Sequence, residues 1–230
     1  MKRLFRLLIV GTLLLSTSCS APDKQERYEK YREALESVLN DRILPDGTEL
    51  EYPGAVDWYP WEIPEELRND DFAIFDIDND GKEELIISFS TAPAAYHHNY
   101  IYQYDEDTEE WHLETINTAG TPYYDNGIII DLAYHSNEDS IIHPYAVRRY
   151  DRLSDEYTLL VYVDGVIGDN GEPVYKLRGF DGEDSVTFYD QDEYDRFLED
   201  TLGNSNEIDI PFVELTEDNI ASIGNSSTEA

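Results

Sequence analysis

Residues 72–89 decide how this chain is read. Phe72-Ala73-Ile74-Phe75 and Leu85-Ile86-Ile87-Ser88-Phe89 are short apolar runs rich in β-branched and aromatic residues, and between them lies Asp76-Ile77-Asp78-Asn79-Asp80-Gly81-Lys82-Glu83-Glu84. Two such runs around a turn signal predict a β-hairpin. Working outward, strand-like segments continue at hairpin spacing. Tyr100, Tyr102 and Tyr104 alternate with Ile101, Gln103 and Asp105, and Trp111 to Ile116 follow an acidic turn. Gly127 to Tyr134, Pro144 to Tyr150 and Tyr157 to Val163 are further candidates. The last is almost continuously apolar, which predicts a central strand.

Helices flank this β-rich stretch. Tyr28, Tyr31, Leu35, Val38 and Leu39 form one apolar stripe at three- and four-residue spacing, ended by Pro45-Asp46-Gly47, which predicts a helix over about 22–44. Asp190, with Glu193 three residues later, has the capping-box pattern ahead of Tyr194, Phe197, Leu198 and Leu202, and Gly203 is the stop. Thr216 begins a short last helix to Ile223. The expected fold class is α+β: an N-terminal helix, an antiparallel β-meander of about six to eight strands over 71–189, and a C-terminal helix over about 191–202. No linker interrupts 71–215, so residues 19–223 read as a single domain, with 224–230 a disordered tail.

Composition excludes several functions. Acids outnumber bases 51 to 16, a net charge of −35, in a chain of 230 residues that is 40% hydrophobic. There is enough apolar material for a core. There is no basic surplus with which to release counterions from nucleic-acid phosphates or to hold anionic lipid by charge. One Cys permits no intrachain disulfide and no cysteine-based zinc site. The five His residues form no HExxH motif, and no GxSxG elbow, P-loop or GxGxxG occurs.

The loop between the two apolar runs carries the chemistry. Counting Asp76 as position 1, carboxylates fall at 1, 3, 5 and 9 with Gly81 at 6. Hard cations such as Ca²⁺ take six to eight oxygens, and alternate side chains of a curled loop converge on one ion. Gly81 permits the positive φ of such a curl. Lys82 holds position 7, where a backbone carbonyl is the ligand and side-chain charge is irrelevant. Position 12 is Ile87 where an EF-hand places Glu, and the flanks are strand-like. A plain solvated turn made by Asn79-Asp80-Gly81 accounts for those residues, but not for Asp76, Asp78 and Glu84 together.

The segment resembles the calcium loop of FG-GAP or VCBS repeats, in which the ion lies in a β-hairpin and position 9 is acidic. The resemblance covers about fifteen residues and implies Asp76, Asp78, Asp80 and Glu84 as side-chain ligands of Ca²⁺. The family usually has Asp where this chain has Glu84. No second copy is found, so a propeller is not expected.

The N-terminus reads as an address. Lys2, Arg3 and Arg6 precede an apolar stretch to Leu15, then small residues and the only Cys, the layout of a secretory signal peptide over residues 1–18. Leu15-Ser16-Thr17-Ser18-Cys19 resembles a bacterial lipobox, although Ser16 stands where Leu is preferred. That resemblance implies a lipidated Cys19 at the mature N-terminus, hence an extracytoplasmic protein anchored to the bacterial cell membrane. The lipobox together with a single Asp-rich hairpin is similar to many uncharacterised bacterial lipoproteins.

Exposed aromatics can stack on sugar rings. Trp58, Tyr59 and Trp61 in a loop-like stretch, with Tyr123 and Tyr124, are candidate ligand-binding aromatics; the plainer reading is that they cap the core. Three functions compete. The first is a lipid-anchored, non-enzymatic module with a structural calcium site that binds a glycan, peptide or envelope protein. The second is a carboxylate-based, glycosidase-like hydrolase, whose two acids stand about 5–5.5 or 6.5–9.5 Å apart. The third is a solute-capture lipoprotein, ranked last because its two-lobed α/β pattern is missing.

Overall fold

The structure, a computed structural model, describes residues 24–50, 70–89, 97–132, 144–154, 156–178 and 184–225. Its elements are α1 (Lys24–Asp41), β1 (Asp71–Phe75), β2 (Glu84–Phe89), β3 (His98–Asp105), β4 (Glu110–Thr118), β5 (Ile128–Leu132), β6 (Tyr145–Asp151), β7 (Glu156–Ile167), β8 (Pro173–Arg178), β9 (Asp184–Phe188), α2 (Gln191–Leu202), β10 (Val213–Glu214) and α3 (Glu217–Ser222). The class is α+β, as expected, but in place of the single meander of six to eight strands the described residues form ten strands in two antiparallel five-stranded sheets, β10-β1-β2-β3-β4 and β5-β6-β7-β8-β9.

Side-chain alternation along the strands builds four layers. Phe72, Leu85, Ile87, Phe89, Tyr102 and Tyr104 face one side of the first sheet. There they bury the α1 stripe of Tyr31, Ala34, Leu35 and Val38, together with Ile220 of α3. The intervening residues Ala73, Ile86 and Ile101 face the other way and meet Tyr123, Ile129, Tyr150 and Tyr157 of the second half. Ile128, Tyr145, Val147, Val161, Val163, Tyr175 and Leu177 then point outward onto α2 through Tyr194, Phe197, Leu198 and Leu202. The order is helices, sheet, sheet, helix. Strand β2, central in its sheet and buried along its whole length, is apolar on both faces but for Glu84 and Ser88.

The caps follow the sequence signals with one change. The Asp190 side chain accepts from Asp192 N, one residue earlier than a capping box requires, and Gly203 closes α2 at φ 66. The Thr216 side chain accepts from Asn219 N and caps α3. Strand β7 is the middle of its sheet, yet Leu160 within it is 39% exposed. The register slips there, with Val147 opposite Val161 and Arg148 opposite Leu159. Leu160 is therefore the extra residue of a bulge and turns outward. Tyr123 is buried between the sheets and donates to Asn117 Oδ1 at 2.7 Å; it is a core residue and not an exposed sugar-stacking one.

Candidate metal centre

The acidic loop joins β1 to β2, with Ile74 opposite Leu85 and Phe75 opposite Glu84. Its backbone curls around its own carboxylates. Glu84 Oε2 accepts from Ile77 N at 2.8 Å, Asp78 Oδ1 from Asp80 N at 2.8 Å, and Asp76 Oδ2 from Gly81 N at 3.1 Å. Asn79 and Gly81 take positive φ, 63° and 97°, the conformation the curl demands. Each of the three carboxylates thus spends one oxygen on the loop. The other oxygen of each, Asp76 Oδ1, Asp78 Oδ2 and Glu84 Oε1, is buried without a hydrogen-bond partner.

Asp76, Asp78 and Glu84 each offer an oxygen within 4.8 Å of the others'. Oxygens about 2.4 Å from one Ca²⁺ stand at most about 4.8 Å apart, so the three fit a single hard divalent ion. The Asp80 carboxylate stands outside this set. Asp80 Oδ1 accepts from Lys82 N at 2.7 Å, and Asp80 Oδ2 lies 3.7 Å from Lys82 Nζ. The Lys82 ammonium also donates to Gln103 Oε1 at 3.1 Å.

Burial sets the electrostatics. Glu84 is 0% exposed and Asp78 is 3% exposed. Loss of water pushes the Glu84 carboxyl up to about 10, aided by the charges of Asp78 and Glu114 and opposed by the Ile77 N–H. Burial likewise lifts Asp78 to about 6, against the Asp80 N–H and a hydrogen bond from Tyr150. A bound cation inverts this logic, because it favours the charged form that burial disfavours.

The second sheet supplies contacts that spacing in the sequence does not reveal. Arg152, in the β6–β7 turn, donates to Asn79 O at 2.6 Å. Asn79 Nδ2 in turn donates to Asp125 O at 3.1 Å. Tyr150 and Tyr157, partners across β6 and β7, pack in the same cluster as Ile77. Of the remaining candidates, Cys19, Trp58, Tyr59 and Trp61 lie outside the described residues. His97 and His98 are half-buried and His112 is exposed, none of them in the converging group. No helix among the described residues is long and apolar enough to cross a membrane. No family model, no curated protein and no solved structure matches this chain.

Proposed function

We propose that this chain is an extracytoplasmic binding module whose two sheets are pinned by a structural Ca²⁺ in the β1–β2 loop. The observation that carries the cation is the pair Asp78 Oδ2 and Glu84 Oε1, buried, unpartnered and converging with Asp76. An unmet polar atom of this kind costs about 1–3 kcal/mol, more when charged, and one divalent ion relieves all three. Ca²⁺ is preferred over Mg²⁺ because the donors are oxygens on a curled loop, and Mg²⁺ demands a tighter octahedron. The burial of Glu84 supports a structural role for this loop, since no glycosidic bond reaches a carboxylate with no exposed surface. Anchoring through a lipidated Cys19 rests on the lipobox resemblance.

Melting in millimolar Ca²⁺ against chelator tests the site. Extracellular calcium modules bind at about 10⁻⁴–10⁻³ M, and tenfold excess over Kd stabilises by about 1.4 kcal/mol, or roughly 3–6 °C here. Asp78→Ala is expected to lose this shift. Equal shifts in both proteins would mean general screening of an acidic chain and end the calcium reading. For the anchor, Cys19→Ala is expected to leave the membrane fraction; normal processing with unchanged membrane recovery would refute it.

A further inference from the structure

The Tyr157 hydroxyl is a buried donor without a hydrogen-bond partner, on a residue only 8% exposed. Buried phenols ordinarily find a partner. Its ring lies 5.4 Å from that of Tyr150, and Tyr150 hydrogen-bonds Asp78. Burial raises the Tyr157 pKa most, and Asp78, Glu114, Tyr123 and Glu84 raise it further. Tyr157 also packs in the same inter-sheet cluster as Ile77, which lies between Asp76 and Asp78, and so approaches the cation loop from the opposite sheet.

Glu114 comes from a third direction. The β3–β4 register slips between Ile101, opposite Thr115, and Tyr102, opposite Leu113. Glu114 is the extra residue, and a bulge re-aims a side chain. Both of its carboxylate oxygens are buried. Three loop carboxylates fill only part of a Ca²⁺ shell of six to eight oxygens, and water commonly takes other positions.

We propose that Tyr157 is a positioning residue of the metal centre, holding a water molecule that is itself bound to the ion. A cation-bound water is a strengthened donor, and a neutral phenol accepts from it. The ion then ties the second sheet to the first through Tyr157, as well as ordering its own loop. This inference rests on the cation reading above.

Tyr157→Phe in the full chain separates the two ideas, with Ca²⁺ alone as the probe in calorimetric titration and melting. Removing an unpartnered hydroxyl is expected to leave the chelated protein at least as stable as wild type, which also shows that the variant folds. Ca²⁺ affinity is expected to fall by about tenfold or more, the usual effect of losing a group that orients a metal's ligands. Tyr157 as a purely structural core residue predicts the first change without the second. If wild type binds Ca²⁺ and Tyr157→Phe binds it within twofold, the positioning role is wrong and the cation site stands. If wild type does not bind, both are wrong.

Discussion

Two acidic hairpin turns lie in the first sheet, and only one of them gathers its carboxylates. The β1–β2 loop and the β3–β4 turn each carry five acids: Asp76, Asp78, Asp80, Glu83 and Glu84 in one, Asp105, Glu106, Asp107, Glu109 and Glu110 in the other. In the β3–β4 turn Asp105 Oδ1 accepts from both Asp107 N and Thr108 N, at 2.8 and 3.3 Å. These bonds favour the charged form and hold its carboxyl below the ordinary value. Glu106 reaches out to Arg27 at 3.7 Å. In the β1–β2 loop the same kinds of bond form, but burial overrides them and the carboxyls of Asp78 and Glu84 rise. Acid content is equal; what differs, among the described residues, is that the second sheet, through Arg152, Tyr150 and Tyr157, covers one turn and not the other.

The largest expected difference between the turns is in packing. Ile77, between Asp76 and Asp78, is fully buried in the inter-sheet core, while Glu106, at the matching second position of the other turn, is half-buried at the surface. Ile77→Ala is expected to cost about 2–5 kcal/mol, the usual range for a buried aliphatic truncation. Glu106→Ala removes one surface ion pair and is expected to cost less than about 1 kcal/mol. Denaturant unfolding in chelator measures both without contribution from the ion. Similar small losses would mean that the β1–β2 loop is not built into the core, and the contrast between the turns would collapse.

This contrast also marks how far the sequence was legible. The hairpin, its loop and the strand tendency of 98–118 are local, carried by apolar alternation and turn residues, and they were readable. So were α1, α2 and α3, because an apolar stripe or a cap lies within a few residues. The division into two sheets was not readable, because nothing in the spacing of strands says where pairing stops; β4 and β5 simply do not pair. Strand β8 alternates Val174, Tyr175, Lys176 and Leu177 between turn signals and was legible in principle, whereas β10 is two residues long and is defined only by its pairing with Asp71 and Phe72. At the site, Asp76, Asp78 and Glu84 were found by position within one loop. Tyr150, Tyr157, Glu114 and Arg152 were not, since the first, second and fourth approach from another sheet and the third through a bulge. A bulge leaves no mark in apolar periodicity until pairing is known, which is also why the exposure of Leu160 within the apolar run of β7 is not legible in the sequence.

The smallest expected effects concern the backbone of the two turns, and they have opposite signs. Each turn has a residue in the left-handed region: Gly81 at φ 97° in the first and Glu109 at φ 58° in the second. A side chain in that region costs about 1–2 kcal/mol relative to right-handed backbone, and glycine removes that penalty at an entropic cost of about 0.5–1 kcal/mol. No atom lies within 4 Å of a Cβ placed on Gly81, so Gly81→Ala meets conformational strain alone and is expected to destabilise by about 1 kcal/mol. The Gly81 N–H to Asp76 Oδ2 is kept, so Ca²⁺ affinity is expected to stay within about threefold of wild type. Glu109 is exposed, and Glu109→Gly is expected to be neutral or stabilising by up to about 1 kcal/mol, as strain relief exceeds the entropic loss. Melting of both variants in chelator gives the signs, and a calcium titration of Gly81→Ala gives the affinity. If Gly81→Ala folds normally but no longer binds Ca²⁺, the carboxylates depend on the exact curl of the backbone and not on the sheet that covers them, and the lesson drawn from the two turns would have to be reversed.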